Sequence, residues 1–444
     1  MAQFFKAKPK TSAVTAKKIQ VMAHSLDHLG AGVAQSGGKV VFVPGLLAQE
    51  TAEVRITEDK KQYARAQLLK VLQTSPQRCQ PVCAHYRQCG GCDLQHLQVD
   101  AQRQYKQQVL TELFQKFSDI DGLPPIEVLS DSALAYRRKA RLATWYDKAN
   151  KRFSMGFRAK DSNKVIAVES CPVLMPALSA LIKPLAASLA QLQSVGHLGH
   201  VELIAADSGP LVVLRMTKTV ADKDRRRLSE LANRLNCHLA LQYGDDEYEY
   251  LAGQQPFYLC AGAKRQLTLH FNPGNFIQVN GGVNQLMLAK ALQWLAPKPG
   301  ERILDLFCGM GNFSLPLADC GANVTGVEGV VQLVEQARRN AMAAGLANAT
   351  FYCADLNGEL HTQPWLHKVD KLLLDPSRAG AWELLAQLPR LAPEAVVYVS
   401  CNPANLARDS ARLSAEGYQL SQLALLDMFP QTHHIEAMAL FTRK

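Results

Sequence analysis

From Arg302 to Ser400 the chain alternates short apolar runs with amphipathic ones, and this alternation restricts the fold more than any other feature. Arg302 to Leu306, Asn323 to Val327, Phe351 to Ala354, Lys371 to Leu374 and Val396 to Val399 read as buried strands. A helix between them carries Val330, Val334, Ala337 and Ala341 at helical spacing and stops at Gly345. Such a pattern gives an open, Rossmann-like α/β sheet, in which ligands bind outside the carboxyl ends of the strands. Those ends hold reactive residues. The first strand runs into Phe307-Cys308-Gly309-Met310-Gly311-Asn312-Phe313-Ser314, whose glycines let the backbone approach a ligand closely. Asp305 lies in that strand, Glu328 ends the second, Asp355 the third, Asp375 the fourth, and Cys401 follows the fifth.

No lysine accompanies the glycines, and Ser314 stands where a dinucleotide fingerprint has its third glycine. A phosphate-bearing ligand would want positive charge. One gripped by Asp305, Glu328, Asp355 and Asp375 is instead cationic or rich in hydroxyl and amino donors. S-adenosylmethionine, with its sulfonium, ammonium, ribose and adenine amine, meets that description, and Glu328 is suitably placed for ribose hydroxyls. Alone, a cysteine at a strand end is more often packing than chemistry. Beside a methyl donor Cys401 has a definite use. C5 of a pyrimidine in RNA is too poor a nucleophile to attack a sulfonium, but thiolate addition at C6 makes it an enolate equivalent. A base must then remove the C5 proton. His434 and Glu436, just before the last strand, both qualify, and the residues alone do not choose between them.

The 444 residues make about three domains by size, and 48% apolar content suffices for folded cores. A net charge of +10 favours a polyanionic partner, nucleic acid first and an anionic membrane second. No apolar run reaches membrane-spanning length, and the first eighteen residues carry five lysines but no apolar core, so a soluble, unexported, cytoplasmic protein is expected. Ile19 to Leu72 reads as short strands broken by glycine, with Gly37-Gly38 a hairpin signal and Lys60, Lys61, Arg65 and Lys70 a basic flank. A small β-barrel fits. Cys79, Cys83, Cys89 and Cys92 fall within fourteen residues, a ligand signal in an unexported protein. Cys171, followed by Pro172, is a further candidate; the spacing suits zinc or an iron-sulfur cluster and leaves Cys79 and Cys171 open as fourth ligand. In Tyr136 to Leu142, Arg137, Lys139 and Arg141 share one strand face. Three like charges there repel unless an anion lies across them, which favours a phosphate-contacting strand. Asn280 can cap a helix running to Trp294.

These features together resemble the family of bacterial iron-sulfur-containing ribosomal RNA uracil-5-methyltransferases, which act on 23S RNA. The matching stretches are the cysteines, Asn275 to Asn280, Asp305 to Phe313, Leu374-Asp375-Pro376, Ser400-Cys401-Asn402-Pro403 and His433-His434-Ile435-Glu436. The resemblance implies Cys83, Cys89, Cys92 and Cys171 as ligands of a [4Fe-4S] cluster. It implies Gln278, Phe307, Asn312, Glu328, Asp355 and Asp375 as donor contacts, Cys401 as nucleophile and Glu436 as base. It also implies a TRAM-like RNA-binding barrel over 12–74, a central mixed α/β domain with the cluster over 75–270, and a methyltransferase domain over 271–444. Helix 94–117 is a candidate for packing with the last of these, and the implied partner is 23S ribosomal RNA. The family often has other small residues where Ser377 stands, and Cys79 has no assigned role. A transfer-RNA uracil-5 enzyme would share the catalytic block but usually lacks the cysteines. An RNA cytosine-5 enzyme commonly adds a second cysteine where this chain has Asp375-Pro376-Ser377. A non-catalytic RNA-binding assembly factor is the alternative of another class.

Overall fold

The computed structural model describes residues 17–444 except Asp246, Asn357 and Glu359. The chain forms two compact units: 17–81, 92–105 and 431–433 make one, and 82–91, 106–430 and 434–444 the other.

In the first unit β1 (Lys18–Leu26), β2 (Ala31–Ser36), β3 (Lys39–Pro44), β4 (Thr51–Asp59) and β5 (Tyr63–Gln73) close into a barrel in the order β1-β2-β3-β5-β4. Gly37 and Gly38 both have positive φ (57° and 75°) and join β2 to β3 as a two-residue turn with Ser36 opposite Lys39. That twist matches the strands and is open to glycine. The interior is narrow and filled by small side chains, Ala23, Ala34, Ala52, Ala64 and Ala66 among the valines. Of the expected basic flank, Lys60 and Lys61 lie exposed between β4 and β5, and Arg65 and Lys70 face solvent on β5, where Ala64 and Ala66 face in. Between β3 and β4, the fully buried Glu50 accepts hydrogen bonds from Leu47 N (2.8 Å) and from Arg78, past the barrel, through Nε (2.5 Å) and Nη2 (2.7 Å).

Helix α1 (Val99–Phe117) begins in this unit, and its residues from Lys106 onward belong to the second. There, β6 (Ile126–Leu129) precedes a seven-stranded sheet built from β7 (Lys139–Asp147), β8 (Arg152–Arg158), β9 (Val165–Ala167), β10 (Leu198–Ala206), β11 (Gly209–Met216), β12 (His238–Gln242) and β13 (Tyr248–Ala252). Helices α2 (Pro176–Leu189) and α3 (Asp222–Leu235) pack on it through Leu178, Ile182, Leu185, Leu228 and Leu231. A hairpin follows, β14 (Phe257–Ala261) and β15 (Gln266–His270).

The remaining elements are α4 (Gly281–Leu295), β16 (Arg302–Leu306), α5 (Ser314–Asp319), β17 (Asn323–Glu328), α6 (Val331–Ala343), β18 (Ala349–Cys353), β19 (Lys371–Leu374), α7 (Leu388–Leu391), β20 (Ala395–Ser400), α8 (Pro403–Ala415), β21 (Tyr418–Leu426) and β22 (Glu436–Arg443). Their sheet runs β18-β17-β16-β19-β20-β22-β21-β6. It is parallel from β18 to β20, and β22 is antiparallel to both β20 and β21. Strand alternation divides the core in two. Ile303, Leu373 and Val397 face α4 and α6, whereas Leu304, Leu372, Leu374 and Val396 face α8 and the end of α1, where Leu110 and Phe114 are buried. Both faces are covered, which is why β19 and β20 read as continuous apolar runs. One expectation changes, and one strand was not foreseen. Val330 is 47% exposed and caps α6 instead of packing under it, and the four-residue β6 joins the edge of this sheet, too short to leave a periodic signal. Among the described residues no helix is long and apolar enough to cross a membrane.

One buried carboxylate fastens the loop after β19. Asp409, on α8, accepts hydrogen bonds from Tyr398 Oη (2.7 Å) and Ala381 N (2.8 Å) and is paired with Arg408. Removing it leaves a buried hydroxyl and amide unpartnered. Asp409→Ala should therefore lower the melting temperature by roughly 5–10 °C, against about 2–3 °C for Tyr398→Phe, in thermal unfolding of the full chain. Equal melting points for Asp409→Ala and the parent would contradict this role.

Candidate active site

The crossover from β18 to β19 reverses the direction in which the parallel strands are added, so the switch point lies between β16 and β19, where sheets of this kind form a ligand crevice at their carboxyl ends. Leu306 lies opposite Val327 on one side and Leu374 on the other, so Phe307, Glu328 and Asp375 emerge side by side. Next along the edge, β20 and β22 pair antiparallel with Ser400 opposite Ala437. One residue further, that register brings Cys401 to the start of β22, opposite Glu436. Cys401 is exposed and Glu436 is buried. Two residues far apart in sequence thus meet through strand register, which the sequence does not reveal.

Phe307 leaves β16 with φ of 64°, a left-handed conformation uncommon for an aromatic residue and a mark of a functional turn when it occurs. Glu328 holds that turn, accepting from Gly309 N (3.1 Å) and Val330 N (3.1 Å). Asp305 is fully buried beneath it and bound to the Ser314 hydroxyl, so it supports the turn from below instead of facing the crevice. The Asn312 amide is also committed: it accepts from Tyr258 Oη (3.0 Å) and Asn284 Nδ2 (3.3 Å) and donates to Asn284 Oδ1 (3.0 Å). Asp355 is exposed just past β18. Gln278 is buried, its carbonyl accepting from Arg138 Nε (2.6 Å), and Asn280 caps α4 through Val283 N (3.2 Å), as expected.

The edge is short of positive charge. Burial pushes the Glu436 carboxyl up to about 8, and the nearby Asp375 adds to the shift. Asp375 rises to about 7 through burial and Glu328, and Asp305 to about 7 mainly through burial. The Cys401 thiol is also raised, by burial first and then by Glu436 and Asp375, with Arg378 opposing. Each carboxyl would ionise more readily if a cation entered. His434 is exposed and its ring contacts Phe429 at 5.7 Å between centroids.

The basic strand carries its own anion. Glu202 on β10 lies 3.7 Å from Lys139 Nζ and 3.8 Å from Arg141 Nη2, which removes the need for an external phosphate across that face. Lys139 also donates to Pro273 O and Asn275 O (both 2.9 Å), so it secures the segment leading to Gln278. Arg137 donates to Lys139 O (3.0 Å) and is half-buried, whereas Arg141 is exposed.

Cys83, Cys89 and Cys171 are electrostatic neighbours, and burial raises the thiols of Cys89 and Cys171. Gly91 N donates to Cys89 Sγ (3.4 Å), and the backbone amides of Val173 and Leu174 act on Cys171. Such donors suit thiolate ligands. Cys79 instead donates to Gln95 O (3.4 Å), and Cys92 lies in the first unit. Among the described residues no three His, Cys, Asp or Glu side chains are gathered closely enough to hold a metal ion. Asn402, part of the stretch after β20, and Asn405, which no motif marks, anchor the loop after β19 by donating to Arg378 O (3.1 and 2.6 Å).

Two family models match the chain: tRNA (uracil-5-)-methyltransferase over residues 98–444 and the TRAM domain over 17–69. Among curated proteins, 23S rRNA (uracil(1939)-C(5))-methyltransferase RlmD of Shewanella halifaxensis is 54% identical over the full length of both chains. The protein of that name from Shewanella sp. strain MR-7 is also 54% identical, over 99% of each. Among solved structures, Pyrococcus abyssi tRNA (uracil-54, C5)-methyltransferase, in complex with S-adenosyl-L-homocysteine, superposes with a TM-score of 0.73 over 96% of this chain and 100% of its own. At 23% identity that likeness speaks for the fold alone. The chain therefore belongs to the tRNA (uracil-5-)-methyltransferase family and begins with a TRAM domain.

Proposed function

We propose that this protein methylates C5 of a uracil in 23S ribosomal RNA with S-adenosylmethionine as donor. The observation that carries the reading is the pairing of β20 with β22, which sets a thiol against a buried carboxyl beside the acid-lined crevice. Full-length relatives named for the same reaction support it. Phe307, Glu328, Asp355 and Asp375, with Gln278 and the backbone at Asn312, hold the donor, and bound S-adenosylmethionine supplies an electrophilic methyl group. Cys401 Sγ adds to C6 of the uracil, and the electron pair displaced from the C5–C6 bond makes C5 nucleophilic. After C5 is methylated, Glu436 takes its proton and the thiolate is expelled, restoring the C5–C6 double bond. The uracil leaves its stack to reach this edge. Arg141, the exposed member of the basic strand, is available to the RNA backbone, with Arg137 and Lys139 behind it.

Cys83, Cys89, Cys92 and Cys171 would hold a structural [4Fe-4S] cluster in this reading, supported by the electrostatic influence of Cys83 and Cys171 on Cys89 and by amide donors to Cys89 and Cys171. Cys171→Ser should lose most of the iron and sulfide of the purified protein, while Cys79→Ser keeps them. Equal loss in both would contradict the ligand set.

Cys401→Ala should lower methyl transfer by on the order of 10³-fold or more, and Glu436→Gln should accumulate an RNA–protein adduct stable to denaturing electrophoresis. Because Glu436 must be deprotonated to act and burial raises it to about 8, kcat/KM should climb with pH through that region. A flat profile between pH 6 and pH 9, or normal turnover by Glu436→Gln, would mean that the base lies elsewhere.

A further inference from the structure

The Cys401 thiol faces two carboxylates, Glu436 at the start of β22 and Asp375 after β19, and loses hydration through partial burial. Each of these disfavours the thiolate. Its immediate backbone is the turn into α8, where Asn402 serves as N-cap and Pro403 opens the helix. Among the described residues the one cation acting on the thiol is Arg378, from the loop after β19.

The position of Arg378 is built. Its carbonyl accepts from Asn402 Nδ2 (3.1 Å) and Asn405 Nδ2 (2.6 Å), the first belonging to the residue that follows Cys401. Arg408 Nη2 donates to Ala379 O (3.2 Å), and Ala381 N donates to Asp409 Oδ2 (2.8 Å). Arg412 donates to Trp382 O (2.7 Å), and both Arg408 and Arg412 lie over the Trp382 ring, at 5.3 and 5.0 Å. Helix α8 therefore grips the loop at Arg378, Ala379, Ala381 and Trp382. The arginines of α8 are spent on that grip. The guanidinium of Arg378, by contrast, is exposed and makes no hydrogen bond or ion pair among the described residues. A cation held in register with Cys401 by its neighbour's side chain, and left without a partner, is a counter-charge in waiting.

We propose that Arg378 is a positioning residue for the reaction, the counter-cation that sustains the Cys401 thiolate against Glu436 and Asp375. This rests on Cys401 being the nucleophile. The same guanidinium opposes the upward shift of the thiol, in keeping with the geometry. Its role is electrostatic, so charge matters more than the planar fork, and lysine should substitute in part.

The test uses the full chain without RNA. Alkylation of Cys401 by iodoacetamide, followed peptide by peptide, gives the pH midpoint of the thiol in the parent, Arg378→Met and Arg378→Lys. Arg378→Met should raise the midpoint by about one pH unit, making alkylation at pH 7 about tenfold slower, and Arg378→Lys should recover most of that. An unmoved midpoint in Arg378→Met, or a lysine variant as slow as the methionine one, overturns the proposal. Methyl transfer by Cys401→Ala is measured alongside. Persisting transfer there would sink the nucleophile itself, a failure separate from any result of the alkylation series.

Discussion

Carboxylates and a thiol crowd the carboxyl edge of one sheet with little to neutralise them, and the rest of the site is arranged around that imbalance. Glu328, Asp375 and Glu436 come from different strands, β17, the loop after β19, and β22. Loss of hydration first, and then repulsion from a neighbouring carboxylate, push Asp375 and Glu436 up to about 7 and 8. A site of this kind stores unfavourable charge that a cationic ligand relieves. A sulfonium donor entering the crevice would let the acids ionise, and an ionised Glu436 is the form that can take a proton. Donor binding and activation of the base are then one electrostatic event.

Holding such groups in place is the task of the surrounding scaffold. Asp409, buried and fully engaged, ties β20 to α8 and to the loop after β19. Lys139 and Arg138 fasten the segment ending in Asn280, whose side chain caps α4. Polar residues that look catalytic by type are thus often structural by position: Asp305 braces the glycine turn, and the Asn312 amide is spoken for by Tyr258 and Asn284.

Much of this was legible in the sequence because it is local. The alternation from Arg302 to Ser400 specified a parallel sheet, and acids at strand ends specified the crevice. The cap at Asn280 and the turn at Gly37-Gly38 follow from side-chain and backbone chemistry within a few residues. What was not legible depends on partners distant in sequence. The pairing of Lys139 and Arg141 with Glu202 requires knowing that β7 pairs with β10. The meeting of Cys401 with Glu436 requires the register of β20 on β22, and the residues alone left His434 open. Strand β6 gives no periodic signal in four residues, and Arg378 carries no motif-level mark; only the amides of Asn402 and Asn405 reveal that its place is fixed.

The central claim is that the thiol and carboxyl at this edge perform C5 chemistry on uracil. Release of tritium from unmodified 23S ribosomal RNA labelled at uracil C5 tests it most directly. The account predicts release that requires S-adenosylmethionine, arises from one site and matches methyl incorporation mole for mole. Methyl incorporation without tritium release would place the reaction on another atom and contradict the account.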